Sequence, residues 1–260
     1  LYAAKDKSIS EDMIRRADAA GLSTLVVTVD VPVRPRRERN IRNGFTRPLK
    51  LTMSTRLDAL CHPGWLMRYF KNGTPLLSNW AKYAPKGASA DDIATFVTQQ
   101  TTATLTWNDI ENFRKLWPRN FVIKGIMHPE DALRAAEIGV DGIMVSNHGA
   151  RQLDRAPAPL DVLPAIQQEV GDRMALLMDG GIRRGADILT ALALGVQFIF
   201  MGRPTLYGAA AAGQAGASHV VDIFRNEIEI NMRQMGCTSL DQLSEFLMWD
   251  NPEDLRRNRS

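Results

Sequence analysis

The chain has 260 residues, 45% of them hydrophobic and 23% charged, which is enough to bury a sizeable core and argues against disorder. The formal net charge of +3 leaves a mild preference for anionic partners, and the composition gives no support for nucleic acid binding. No apolar run approaches the roughly 18 residues of a transmembrane helix. Cys61 and Cys237 are far apart and lack metal-like spacing, so we expect a reducing compartment and a cytoplasmic protein, either soluble or peripheral on the inner face of the cell membrane.

Five apolar runs predict buried parallel strands, each ending in polar or glycine residues. They cover residues 22–30, 121–126, 142–147, 175–181 and 196–202. Apolar residues three and four positions apart predict helices over residues 8–20, 129–138, 160–170 and 186–194. The alternation of strand and helix indicates an α/β protein with a parallel sheet.

The polar residues at the strand ends favour one of two architectures. A doubly wound sheet concentrates function at one switch point, whereas a (β/α)8 barrel gathers the carboxyl ends of all its strands around one site. Reactive residue types lie at or just past the carboxyl ends of all five predicted strands, and no G-x-G-x-x-G motif follows any strand, so we predict the barrel. These residues are Asp30, Lys124, His148, Asp179 and Arg203.

Five strands do not close an eight-stranded barrel. We therefore expect them to be the fourth to eighth strands, with the first three upstream of Leu1. A long connection over about residues 40–118, rich in proline, glycine and aromatic residues, is expected to be an inserted functional loop. The predicted domain is thus the C-terminal portion of one barrel, residues 1–260.

The strongest chemical signal is the segment S-N-H-G-A-R-Q-L-D at residues 146–154, which places His148 and Arg151 three residues apart just after a strand. Histidine accepts a proton near neutral pH, and arginine offers a planar fork that matches a carboxylate. An isolated pair of this kind is more often structural, but the other strand-end motifs favour a base beside an anion clamp. Asp30 would orient the histidine, or else cap a loop.

Two loops with glycine and arginine predict a phosphate site. One covers residues 179–185, after the fourth predicted strand, and the other residues 202–204, after the fifth. Barrels bind phosphate at the loops after their last two strands, where glycine lets backbone N–H groups approach the oxygens and arginine adds positive charge. Lys124 lies at a strand end in an apolar context, where it would meet either a negatively charged cofactor or the carboxylate of a neighbouring strand.

Together these motifs resemble the FMN-dependent 2-hydroxy acid dehydrogenase and oxidase family, over essentially the whole chain. S-N-H-G-x-R-Q-L-D is close to diagnostic, and T-V-D, R-R-E-R, I-K-G, D-G-G-I-R-R-G and G-R occur in the family's order. The resemblance implies oxidation of a mandelate- or lactate-like L-2-hydroxy acid to the 2-keto acid, with electrons passing to FMN and then to a quinone-type acceptor. It also implies a homotetramer.

The resemblance further implies roles for individual residues. His148 would be the catalytic base with Asp30 as its partner, and Tyr2 would hydrogen-bond the substrate. Arg37 and Arg151 would bind the substrate carboxylate. The residues expected to bind FMN are Thr28, Lys124, Ser146, Asp179, Gly180, Gly181, Arg183, Gly202 and Arg203.

The sequence departs from the family pattern in two places. Ala150 stands where a second glycine is usual, which is tolerated unless that backbone needs a positive φ. The family's N-terminal part, which supplies further flavin contacts and another substrate-binding tyrosine, is expected upstream of Leu1.

The long connection resembles the lactate and mandelate dehydrogenases that dock on bacterial membranes, and resembles glycolate oxidases less. Its 60–80 region has a cluster of large apolar side chains beside Arg68 and Lys71, which would insert into a lipid interface or pack inward as an active-site lid. The cluster consists of Trp65, Leu66, Tyr69 and Phe70. Three alternative functions remain: an oxygen-using 2-hydroxy acid oxidase, another phosphate-binding barrel such as an isomerase, and an inactive barrel fragment.

Overall fold

The computed structural model of the chain describes residues 1–33, 35–44, 52–101 and 104–247. Its contacts divide the chain into two compact units. The helical unit consists of residues 1–22 and 31–117, and the sheet unit consists of residues 23–30 and those from 118 onward.

Seven helices lie in the described part of the helical unit. They are α1 (Lys7–Ala19), α2 (Glu38–Arg42), α3 (Met53–Leu60), α4 (Pro63–Asn72), α5 (Ser78–Ala81), α6 (Ala90–Gln100) and α7 (Trp107–Leu116). The connection expected over residues 40–118 is therefore mainly helical where it is described, and its residues 45–51 and 102–103 lie outside the described part.

Ionic contacts join α1 to later parts of the helical unit. Lys7 Nζ lies 2.6 Å from Asp109 Oδ1 on α7. The Asp12 carboxylate accepts hydrogen bonds from Lys82 Nζ at 2.8 Å and from the Tyr83 hydroxyl at 2.5 Å, just after α5. These hydrogen bonds, that from Lys82 first, hold the pKa of Asp12 below its usual range. These contacts attach the middle of the helical connection and its last helix, α7, to α1.

The sheet unit contains five parallel strands in its described residues. They are β1 (Thr24–Thr28), β2 (Asn120–Ile126), β3 (Gly142–Val145), β4 (Ala175–Asp179) and β5 (Phe198–Phe200). Each strand pairs with the next along the chain, in the order β1-β2-β3-β4-β5. The order never reverses among these strands, so the sheet lacks the switch point of a doubly wound fold and has the sequential order of a barrel wall.

Helices follow the later strands. They are α8 (Pro129–Ile138), α9 (Pro159–Val170), α10 (Gly185–Ala193) and α11 (Arg203–Met235), followed by a 3-10 helix (Leu240–Phe246). The bounds of α8 illustrate the local chemistry: Pro129, which has no N–H group, begins the helix, and Gly139 ends it with a left-handed φ of 79°. The helix α11 is interrupted at Ala212 and Gly213, whose backbone angles are not helical.

Alternation of side chains gives the sheet two different faces. One face is apolar, and helices α8, α9 and α10 contact strands β2, β4 and β5. Its aligned residues, each at most 1% exposed, are Val27, Ile123, Ile143 and Leu176. The aligned residues of the opposite face are Thr28, Lys124, Met144, Leu177 and Phe198. The first face is closed by the core, so polar side chains at the strand ends lie on the second.

A capping box begins α7 in the helical unit. The Asp109 carboxylate accepts hydrogen bonds from the Thr106 N–H at 3.0 Å and from the Thr106 hydroxyl at 2.8 Å, and it pairs with Lys7. Burial raises the pKa of Asp109, but the hydrogen bonds from Lys7 and Thr106 outweigh burial and hold this pKa below its usual range. Because the folded pKa is depressed, the contribution to stability is present above the unfolded pKa and is lost as the pH falls through the folded pKa.

We therefore expect Asp109→Asn to lower the free energy of unfolding by about 1–3 kcal/mol at neutral pH, because charge-assisted hydrogen bonds of a buried carboxylate are lost. Urea unfolding measures the effect, and the difference from the wild-type protein should shrink below about pH 4. The matched control is Asp172→Asn, which changes an exposed aspartate and should alter the stability by less than about 0.5 kcal/mol. A difference for Asp109→Asn that stays constant down to acid pH would contradict the prediction.

Candidate active site

Asp30 and His148 form a carboxylate–imidazole pair just beyond the carboxyl ends of β1 and β3. His148 Nδ1 lies 3.1 Å from Asp30 Oδ1 and 3.3 Å from Oδ2. The side chains are only 18% and 13% exposed, so solvent weakens the interaction little. A carboxylate at Nδ1 favours the tautomer with the proton on Nδ1 and the lone pair on Nε2. The arrangement presents Nε2 as a proton acceptor.

A second polar cluster joins the ends of β2, β3 and β4. Lys124 Nζ lies 2.6 Å from Ser146 Oγ and 3.0 Å from Asp179 Oδ2. The fully buried Ser146 hydroxyl donates to the other Asp179 oxygen. The sequence suggested a carboxylate of a neighbouring strand as one partner for Lys124, and the described structure pairs Lys124 with a carboxylate of β4, two strands away. The charge of Lys124 is therefore balanced within the sheet.

The loop after β3 holds His148 in a left-handed turn. The φ angles are 58° at His148, 64° at Gly149 and 58° at Ala150. Such a conformation costs a residue other than glycine roughly 1–2 kcal/mol. Ala150 therefore occupies a backbone position that favours glycine. Because its φ is positive, alanine in place of the family's usual glycine has an energetic cost at this position.

Asn147 supports this turn and was not singled out from the sequence. Its side-chain oxygen accepts a hydrogen bond from the Ala150 N–H at 3.0 Å, and its amide group donates to the Pro157 carbonyl at 3.1 Å. An asparagine at the start of a turn is a recognisable signal, because its side chain bonds the backbone a few residues on.

The loop after β4 exposes its backbone. Gly180 and Gly181 have φ angles of 90° and 81°. A Cβ atom at Gly180 would lie 3.1 Å from Asn147 Oδ1, whereas no atom lies within 4 Å of the corresponding position at Gly181 or at Gly202. The backbone at Gly181 and Gly202 is thus open to close approach by another group.

Two carboxylates at the start of α10 were missed by the sequence reasoning. Asp187 accepts the N–H groups of Arg183 and Arg184 at 2.8 and 2.9 Å. Glu227, on α11, accepts the Gly185 N–H at 2.7 Å and pairs with Arg184 Nη1 at 2.6 Å. An acidic residue three positions after a helix N-cap would have indicated Asp187, but Glu227 comes from a distant helix and has no local signal. Arg184 is thus paired with Glu227, although its side chain is 71% exposed, whereas Arg183, which is also exposed, donates to the Ile182 carbonyl at 2.8 Å.

Arg203 connects the loop after β5 to the loop after β3. Its Nη2 donates a hydrogen bond to the Gly149 carbonyl. A Cβ atom at Gly149 would lie 2.5 Å from Arg203 Nη2, so a side chain there would require the end of the flexible Arg203 side chain to shift. The guanidinium is therefore held beside the turn that carries His148.

The remaining predicted residues lie in both units. Thr28 is the buried last residue of β1 and is aligned with Lys124. Arg151 is exposed in the loop that carries His148. Tyr2, 43% exposed, and Arg37, the exposed N-cap residue of α2, belong to the helical unit. The roles of all four stay predictions.

Comparison with known proteins gives consistent results. The family described as FMN-dependent dehydrogenase matches residues 1–250. The chain is 42% identical over 245 residues to the L-lactate oxidase of Nostoc sp., covering 94% of this chain and 61% of that protein. It is 37% identical over 238 residues to the (S)-mandelate dehydrogenase of Pseudomonas putida, covering 92% and 60%. A crystal structure of the monotopic membrane protein (S)-mandelate dehydrogenase matches with a TM-score of 0.87 at 36% identity, over 94% of this chain and 64% of that one.

These matches bear on the fold and on the extent of the chain. The chain spans 61% and 60% of the length of the two curated relatives. Together with the sequential parallel sheet, the matches confirm the predicted α/β fold class, the (β/α)8 barrel, of which the described residues contain five parallel strands. The chain belongs to the FMN-dependent dehydrogenase family, whose cofactor is FMN.

Proposed function

We propose that the protein oxidises an L-2-hydroxy acid of the mandelate or lactate type to the 2-keto acid, with FMN as the first electron acceptor. The observation that carries the proposal is the pairing of Asp30 with His148 Nδ1 at 3.1 and 3.3 Å, which leaves the lone pair of the imidazole on Nε2. A positioned base of this kind is what proton removal from a 2-hydroxy acid requires.

The proton step is assigned to His148. Oxidation removes two electrons and two protons from the C–H and O–H groups of the substrate. His148 Nε2 takes one proton, either from the α-carbon or from the hydroxyl as hydride leaves, and Asp30 stabilises the imidazolium through Nδ1. FMN, when bound, would accept the two electrons and the remaining proton.

Substrate binding is assigned to Arg37 and Arg151, with Tyr2 hydrogen-bonded to the substrate. Two guanidinium groups on one carboxylate orient the α-carbon as well as bind it, because each fork fixes a direction. Arg151 is exposed three residues beyond His148, which supports its part of the assignment.

The residues of the sheet unit fit FMN. The open backbone at Gly181 and Gly202 permits close approach of a phosphate, and Arg203 and the exposed Arg183 supply positive charge. Lys124 would stabilise negative charge on the flavin. The other expected ligands are Thr28, Ser146, Asp179 and Gly180. Because Arg184 is neutralised by Glu227, the fit assigns the phosphate to Arg203 and Arg183.

The second electron acceptor is proposed to be a quinone. The chain is 42% identical to a relative named as an oxidase and 37% identical to one named as a dehydrogenase. Because the relatives include both kinds of enzyme, an oxygen-using oxidase is the second candidate. A membrane-docking surface favours the quinone, since quinones lie in membranes. The homotetramer implied by the resemblance stays a prediction.

Helices α3 and α4 supply the proposed membrane surface. They contact each other and expose large apolar side chains. Among these are Met53 at 71%, Leu60 at 66%, Trp65 at 52%, Met67 at 72% and Phe70 at 76% exposure. No helix in the described part of the chain is long and apolar enough to cross a membrane. Such exposure beside Arg68 and Lys71 supports an interfacial helix pair over a lid that packs its aromatic residues inward.

The proposed reaction predicts that lactate, mandelate or glycolate, added without oxygen, bleaches the flavin absorbance of the FMN-loaded protein. His148→Ala should slow bleaching by roughly 100-fold or more, because the base is lost. The control His219→Ala changes an exposed histidine of α11 and should bleach at the wild-type rate. A wild-type protein that no 2-hydroxy acid bleaches would contradict the function, and a fast His148→Ala variant would contradict the assigned base. Reoxidation by a quinone analogue rather than by oxygen would select the dehydrogenase.

The phosphate assignment predicts different FMN affinities for two arginine variants. Arg203→Ala should weaken FMN binding by about 10-fold or more, the equivalent of one lost charge-assisted hydrogen bond. Arg184→Ala should leave the affinity nearly unchanged, since Glu227 already neutralises Arg184. Titration of flavin fluorescence measures both dissociation constants. Equal effects of the two substitutions would refute the assignment.

The membrane surface predicts that Phe70→Glu lowers binding to vesicles of phosphatidylglycerol and phosphatidylcholine in equal parts. A loss of about 10-fold or more is expected, because a buried aromatic side chain contributes roughly 1.5–3 kcal/mol. The control Leu206→Glu alters an apolar side chain of α11 that is 63% exposed. Sedimentation with the vesicles measures the bound fraction. Binding that is equally weak for both variants would argue against a specific surface on α4.

A further inference from the structure

Gly125 lies in β2, between Lys124 and Ile126, where the register of β2 with β3 shifts. Its φ is 107°, a conformation that glycine adopts without the strain it causes in other residues. A Cβ atom at this position would lie 2.6 Å from Asp30 Cβ, 2.8 Å from Asp30 Cγ and 3.0 Å from the Asp30 nitrogen. The Asp30 side chain thus occupies the space that a side chain at residue 125 would need.

The surroundings of Asp30 leave little room for adjustment. The Val29 N–H donates to the Lys124 carbonyl at 2.9 Å, so the hydrogen bonds between β1 and β2 continue up to the residue before Asp30. Beyond the backbone, both Asp30 oxygens face His148 Nδ1. A methyl group at residue 125 would therefore displace the carboxylate from the imidazole, because the paired backbone cannot move away as easily as the side chain.

We propose that Gly125 is a positioning residue for the catalytic base. By lacking a side chain, it lets Asp30 lie against β2 with its carboxylate on His148. This inference rests on the proposed function, because Gly125 acts on the reaction only through Asp30 and His148. The inference gives the glycine of the I-K-G motif a role in positioning the catalytic base, which is distinct from a role in binding the cofactor.

A glycine can also be needed only for its backbone angles, and the chain offers a matched control for that role. Gly139 ends α8 with a φ of 79°, and no atom lies within 4 Å of the position that its Cβ would take. Gly139→Ala therefore introduces left-handed strain without a contact. Gly125→Ala introduces such strain together with the contact to Asp30.

The test compares four variants of the FMN-loaded protein with the wild type: Gly125→Ala, Gly139→Ala, Asp30→Gly, and Gly125→Ala combined with Asp30→Gly. Anaerobic stopped-flow mixing with the best 2-hydroxy acid gives the limiting rate of flavin reduction and the apparent dissociation constant of the substrate. Gly125→Ala should lower the limiting rate by about 100-fold, the order expected for a misplaced catalytic group. The apparent dissociation constant should change little, because the arginine ligands are untouched.

The double variant separates positioning from general damage. Once Asp30 is glycine, adding Gly125→Ala should lower the limiting rate by less than about threefold, since the residue through which it acts is gone. Asp30→Gly also removes the two atoms nearest to the new methyl group. If Gly125→Ala alone does not fold, the double variant should recover a melting temperature close to that of Gly139→Ala.

Losses that multiply in the double variant, a Gly125→Ala rate equal to that of Gly139→Ala, or a failure of Asp30→Gly to rescue folding would each overturn the inference. A wild-type protein that no 2-hydroxy acid reduces would contradict the proposed function instead. In that case the crystal structure of Gly125→Ala decides the positioning role. An Asp30 carboxylate beyond hydrogen-bonding distance of His148 Nδ1 supports it, and an unchanged pair refutes it.

Discussion

The parallel pairing of β1 to β5 is the constraint on which the candidate site depends. It places the carboxyl ends of the five strands side by side at one edge of the sheet. Residues that are distant in the sequence therefore become neighbours across one or two strands. The buried row that includes Val27 and Ile123 excludes polar side chains from one face. Because side chains alternate, a slip of one residue in β2 would move Lys124 into the apolar core and an isoleucine into the polar cluster. The apolar core therefore fixes the positions of the polar residues as firmly as their own contacts do.

Much of this architecture can be predicted from the sequence, because it depends on periodicity and on residues at element ends. Helix α8 has the bounds expected from its apolar spacing, with proline at its start and glycine at its end. Strand β5 is shorter than its apolar run predicts, since β4 pairs with only three of its residues, Phe198 to Phe200. An apolar run in the sequence indicates which residues are buried, whereas the length of a strand depends on how many of its residues hydrogen-bond to the adjacent strand.

The site was predictable in its residue types and less so in its pairings. The motif order placed Asp30 and His148 at strand ends, and their contact followed from the architecture. The partner of Lys124 could not be assigned from the sequence, because Asp179 lies two strands away and nothing in the sequence around Lys124 indicates it. Glu227 and Gly125 were missed for the same reason: one acts from a distant helix, and the other acts through the space that it leaves. Only a three-dimensional arrangement reveals either effect.

The pairing of cations with internal carboxylates has a consequence for how an anionic cofactor arrives. Lys124 is balanced by Asp179, Arg184 by Glu227, and His148 faces Asp30. These pairs leave Arg203 and the exposed Arg183 as the cations that supply positive charge for a phosphate, whereas the paired groups add little long-range attraction. Recognition then depends on short-range hydrogen bonds from Arg203 and from the open backbone at Gly181 and Gly202. Screening by salt acts mainly on interactions between exposed charges, so the dependence of association on ionic strength should come mainly from Arg183.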